Sequence, residues 1–164
     1  SLADVCAELK LPIGVMAFGG LPPLVPSIEE LCARGDVDVV IDHWGFPRAE
    51  PGAAPSAALK FDEKAFGALC ALGRKHENLY LKLSAHFRVS SSQAPHSDLQ
   101  PRFDAAVAAF GADRLMWGSD FPFVQLNGGQ KASLDAVRKF STALAPEAQE
   151  ALLGGTARRL FRLP

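Results

Sequence analysis

Three apolar runs in this chain each end on a side chain able to do chemistry. Leu115-Met116-Trp117-Gly118-Ser119 runs into Asp120, followed by Phe121-Pro122. Val39-Val40-Ile41-Asp42 runs into His43, followed by Trp44-Gly45. Leu79-Tyr80-Leu81-Lys82-Leu83-Ser84 is followed by His86 and Arg88. A carboxylate at a strand end is a candidate general base, or else a cap for the turn that follows. An imidazole there can polarise a carbonyl or hold a leaving group, or simply bond to backbone. A planar guanidinium suits a carboxylate ligand, or pairs with a loop acid. Ser84 is a hydrogen-bond donor at the site or a small strand-end residue, and His86 is a further candidate at the mouth. Lys82, between Leu81 and Leu83, needs an internal partner if it faces a core, which is a structural role. His76 and His96 read as surface or loop histidines.

Elements must bring these groups together. Leu2, Val5, Cys6 and Leu9 recur at helical spacing over the first ten residues, and Ile13 to Phe18 form an apolar run broken by Gly19-Gly20-Leu21-Pro22-Pro23. Ser27 reads as the cap of a helix with Glu29 and Glu30 in its first turn, ended by Gly35. A strand follows at 37–42, in which alternation sets Val39, Ile41 and His43 on one face and Val40 and Asp42 on the other. Residues 46–59 form a long Pro/Ala/Gly-rich loop, a candidate lid. A helix at 62–76 turns Phe66, Leu69 and Cys70 inward, and a strand occupies 79–84. A polar loop carrying His96 spans 90–101, a helix spans 101–110 and a strand spans 114–119. Asn127-Gly128-Gly129 precedes a helix at 133–144, and a last helix at 146–161 buries Leu152, Leu153, Leu160 and Phe161. One helix and four strand–helix units imply an α/β fold with a parallel sheet and right-handed crossovers. The loops after strands are the long ones, which is the side where such sheets carry function.

Composition narrows the classes. A net charge of −1 leaves no electrostatic footprint for nucleic acid or an anionic membrane surface. No apolar run approaches the roughly 18 residues of a membrane span. No basic stretch leading into an apolar run opens the chain, so no signal peptide is expected. Cys6, Cys32 and Cys70 are isolated and lack CxxC spacing, which reads as buried thiols in a reducing cytoplasm. No GxGxxG or Walker loop supports a nucleotide site. The chain opens on Ser1 rather than Met, as a trimmed or partial chain would.

Ile41-Asp42-His43-Trp44-Gly45-Phe46-Pro47, Leu81-Lys82-Leu83-Ser84 with Arg88, and Met116-Trp117-Gly118-Ser119-Asp120-Phe121-Pro122 resemble the amidohydrolase superfamily. The branch they look most like is the 2-pyrone-4,6-dicarboxylate lactonase-like one, as does Leu152 to Phe161. The resemblance implies a (β/α)8 TIM barrel of roughly 250 residues or more, of which residues 1–164 would be a single partial domain, the C-terminal half with strands five to eight. The family's first strand carries a His-x-His pair, which this sequence lacks. By the resemblance Asp120 is the base that activates water, His43 the electrophile, and Arg88 the grip on a substrate carboxylate, with Ser84 and His86 beside them. Metal-bearing relatives place a His on the fifth strand, where this chain reads Ile13-Gly14-Val15-Met16-Ala17-Phe18. A catalytic zinc wants about three protein ligands. The expectation is therefore hydrolysis of a carboxylated lactone or related ester with no metal or other cofactor. The alternatives are zinc-dependent amide hydrolysis or decarboxylation on the same fold, or a half-barrel that only associates, with an N-terminal half-barrel or with itself.

Overall fold

A computed structural model describes residues 1–46 and 61–164, so all but Phe46 of the expected 46–59 loop lies outside the described residues. Helix α1 (Leu2–Leu9) opens on a capping box between Ser1 and Asp4 and leads to β1 (Ile13–Val15). Helix α2 (Val25–Ala33) precedes β2 (Val39–Ile41), and α3 (Glu63–Lys75) precedes β3 (Leu79–Leu83). A single turn, α4 (His86–Val89), and then α5 (Gln100–Phe110) connect β3 to β4 (Leu115–Trp117). Helices α6 (Gly129–Phe140), α7 (Pro146–Glu150) and α8 (Thr156–Phe161) close the chain. The strands form one parallel sheet in the order β1-β2-β3-β4, with Ile41 opposite Leu81 and Leu83 opposite Trp117.

Alternation divides the sheet into two faces. Val39, Ile41, Leu79, Leu81, Leu83 and Leu115 pack against the helices in one cluster with Ile28, Leu69, Phe103 and Phe140. Val40 and Met116 lie on the other face, in a small cluster with Leu160 of α8. Lys82 shares that face and finds the internal partner its position demands, with Nζ 2.5 Å from Asp42 Oδ1. At the N-terminal ends of the strands, Arg114 Nη1 donates to the carbonyls of Gly73 (2.9 Å) and His76 (2.7 Å). Asn78 Nδ2 donates to those of Cys32 and Val37.

Several sequence expectations change. The strands are shorter than read, and His43 belongs to the turn after β2 rather than to the strand. Ser27 does not cap α2: Pro26, preorganised for a first helical turn, starts the helix two residues earlier at Val25. Helix α6 begins at Gly129, because Gly128 at φ 92 makes a left-handed cap that only the glycine pair allows cheaply. The last helix is broken into α7 and α8 by a wide turn over 151–155, and Phe161 is exposed rather than buried. Cys6 is half-buried, whereas Cys32 and Cys70 are buried. Leu2, Val5 and Leu9 of α1 are exposed. Among the described residues no helix is long and apolar enough to cross a membrane.

Candidate active site

His43 would face the helices with Val39 and Ile41 if β2 continued. The chain instead coils left-handed over four residues: His43 (φ 53), Trp44 (φ 58), Gly45 (φ 81) and Phe46 (φ 46). Each non-glycine residue in that region costs roughly 1–2 kcal/mol. Burial offsets the strain: Trp44 and Phe46 are almost fully covered, and Gly45 leaves no room for a side chain, since a Cβ there would lie 2.7 Å from Leu69 Cδ2. The turn swings the His43 imidazole to the C-terminal mouth of the sheet.

Three strand ends meet there. Ser84, just past β3, puts its Oγ 2.6 Å from His43 Nδ1. Asp120, past β4 and left-handed at φ 59, has Oδ1 3.4 Å from His43 Nε2. Its Oδ2 accepts a 2.8 Å hydrogen bond from Arg88 Nε on α4. A carboxylate beside Nε2 favours the hydrogen on that nitrogen, so the Ser84 hydroxyl donates to Nδ1. Burial pushes the His43 pKa below its usual range, against the pull of Asp120 and Asp42. The imidazole is thus held neutral, with Nε2–H directed at the base. The Arg88 guanidinium lies against the rings of Phe87 and Phe123, its Cζ 5.1 and 4.8 Å from their centroids. Among the described residues its side-chain hydrogen bond is the one from Nε to Asp120.

His86 is not at the mouth. Its ring is 1% exposed and its Nδ1 accepts from Trp44 Nε1 at 3.2 Å. Indole nitrogen only donates, so His86 carries its hydrogen on Nε2. Burial, reinforced by neighbouring His96, pushes its pKa down to about 4. The ring packs between Trp44, His96 and Phe140 and supports the left-handed turn from behind. His96, read as a loop histidine, is 7% exposed, because its loop folds back over His86. Sequence reasoning also passed over Asp98, which accepts hydrogen bonds from Ser90, Ser91 and Ser92 and ties the loop together. The Ser90-Ser91-Ser92 run ahead of a lone Asp was the available signal. His76 is half-buried, away from this mouth.

His43 Nε2 and Asp120 are the metal-binding atom types at the mouth, and Asp120 is already held by Arg88. Among the described residues no three His, Cys, Asp or Glu side chains gather into a metal cluster. This donor set falls short of the three that a catalytic zinc takes from protein, and no chemical step is drawn through a metal.

An L-fucono-1,5-lactonase of Burkholderia multivorans is 31% identical over 147 residues, which is 85% of this chain and 48% of that protein. A 4-sulfomuconolactone hydrolase of Rhizobium radiobacter is 33% identical over 117 residues, 71% of this chain and 35% of that protein. The chain therefore spans half the length or less of these curated relatives. Among solved structures, an amidohydrolase from Burkholderia multivorans with bound zinc matches with a TM-score of 0.77 at 26% identity, over 99% of this chain and 56% of that one. A family model described as amidohydrolase matches residues 1–163, which takes in every strand and every residue of the mouth, and the chain belongs to the amidohydrolase family.

Proposed function

We propose that residues 1–164 are the C-terminal half, strands five to eight, of a (β/α)8 barrel that hydrolyses a carboxylated lactone or related cyclic ester without a metal. The observation that carries this reading is the divided carboxylate: Arg88 holds Asp120 Oδ2 at 2.8 Å while Oδ1 stays 3.4 Å from His43 Nε2. A carboxylate fixed through one oxygen presents the other in a set direction, at a distance from Nε2 long enough for water to compete for it. The lactones acted on by the L-fucono-1,5-lactonase and the 4-sulfomuconolactone hydrolase support the bond type.

In this mechanism Asp120 Oδ1 takes a proton from water as the water oxygen bonds to the lactone carbonyl carbon. The His43 Nε2–H stabilises the oxyanion that forms. Collapse of the tetrahedral intermediate breaks the ring C–O bond, and the proton on Asp120 passes to the departing alkoxide, giving a hydroxy acid. Arg88 grips a substrate carboxylate with its terminal amino groups. The partner that completes the barrel is an N-terminal half-barrel, or a second copy of the chain. The reducing cytoplasm belongs to the same proposal, supported by Cys32 and Cys70, buried thiols whose pKa burial pushes up to about 11.

The test is hydrolysis of a panel of carboxylated lactones in metal-stripped buffer, by this chain alone and mixed with the expected N-terminal half. Turnover in the mixture is expected, with Asp120→Asn lowering kcat by roughly 10²–10⁴-fold. Activity that appears only with stoichiometric zinc overturns the metal-independent reading, and an Asp120→Asn variant of undiminished kcat overturns the base.

A further inference from the structure

Beside the mouth lies a recess of about 390 Å³ between the loop after β3 and the start of α6, lined by Phe87, Ser92, Gln93, His96, Asn127 and Gly128 among others. That is a volume typical of a small-molecule site. Phe87 forms the wall it shares with the mouth, its ring 5.1 Å from the Arg88 guanidinium carbon on the other side.

The lining has a definite hydrogen-bond polarity. His96 is 7% exposed, and its Nδ1 lies 2.9 Å from the Ser92 carbonyl oxygen, which can only accept. In a neutral ring Nδ1 therefore carries the hydrogen and Nε2 is a bare acceptor. Among the described residues the His96 ring makes no other hydrogen bond. Asn127 gives one Nδ2 hydrogen to the Phe123 carbonyl at 2.9 Å and adds its Oδ1 as a second acceptor. Gly128 caps α6, a helix whose first amides lack partners within it. A group that fits here donates to His96 and Asn127 and accepts from a helix start. A hydroxyl does both. An ammonium would meet the positive end of the α6 dipole with no carboxylate in the lining. A carboxylate would face the bare Nε2 of His96, to which it has no hydrogen to give.

We propose that this recess is a subsite for a hydroxyl-bearing part of the ligand, read by His96 Nε2. It rests on the reading of Arg88 as the anchor for the ligand's carboxylate, which sets the ligand against Phe87.

Two carboxylates that cannot be hydrolysed separate the two readings: quinate, a cyclohexane ring with several hydroxyls, and cyclohexanecarboxylate, without any. The full chain, labelled with ¹⁵N in histidine and arginine side chains, is titrated with each. Both probes are expected to move the Arg88 resonances. Quinate alone is expected to move His96 Nε2 towards the hydrogen-bonded position and to bind roughly tenfold more tightly. His96→Phe is expected to bring the two affinities together. A His96 Nε2 resonance unmoved by quinate overturns the subsite, whatever Arg88 does, and needs no variant to fold. Arg88 resonances unmoved by both probes overturn the anchor, whatever His96 does.

Discussion

The imidazoles of His43 and His86 sit one behind the other, and the protein keeps both neutral by different means. His43 meets the Asp120 carboxylate and the Ser84 hydroxyl at the mouth, whereas His86 is sealed behind Trp44. Both have a pKa lowered below 6.5, and burial is the first cause in each. The sign follows from proton uptake. As pH falls through 6.5 the unfolded chain gains protons that these rings resist in the fold, so stability is full above that pH and declines below it. For His86 the decline runs from about 6.5 to about 4 and amounts to about 3 kcal/mol at most. Urea unfolding followed at pH 7.5 and pH 4.5 checks this. The wild type is expected to lose stability between the two, and His86→Gln to lose much less of its own. An equal loss in both would remove His86 as the source.

The turn after β2 is the element on which the site depends. Its four left-handed residues reverse the facing of His43, and Gly45 makes the reversal possible. Gly45→Ala sets a Cβ 2.7 Å from Leu69 Cδ2 at φ +81. The expected cost is about 2 kcal/mol or more, read as a lower urea midpoint with an unchanged m-value. This element also marks where sequence reasoning stopped. The order of strands and helices was legible because Gly and Pro punctuate the apolar runs, and Asp120, His43, Arg88 and Ser84 were legible because each follows such a run. The facing of His43 was not, since period-two alternation holds only while the strand continues and the turn is packed against Leu21, Leu69 and His86 from other elements. The burial of His86 and His96 was hidden for the same kind of reason: their local sequence is polar, and their cover comes from Trp44 and Phe140. The early start of α2 at Val25 did have a local signal, Pro26 in the first helical turn.

At the scale of the molecule, among the described residues β1 and β4 each pair on one side only, and α1 shows Leu2, Val5 and Leu9 to solvent. Open edges and an apolar helix face invite pairing, which the proposed half-barrel would require. The two ends of the sheet are held very differently. At the base Arg114 gathers carbonyls from the end of α3 and the stretch before β3, Asn78 binds those of Cys32 in α2 and Val37 before β2, and Val39 N donates to the Asn78 carbonyl at 2.8 Å. At the mouth the strained turn and the segment around Asp120 are held mainly by short local backbone bonds, such as Gly45 N to the Asp42 carbonyl and Val124 N to the Asp120 carbonyl, and by side-chain contacts. Local opening should therefore begin at the mouth and die out towards the base. In native-state hydrogen exchange the amides of 43–46 and 118–124 are expected to exchange well ahead of Val39, with the β2–β3 amides slowest; uniform protection from end to end would contradict it. Such a gradient makes catalysis and folding separable failures: warmth or dilute denaturant would silence the mouth while the base still holds the sheet together.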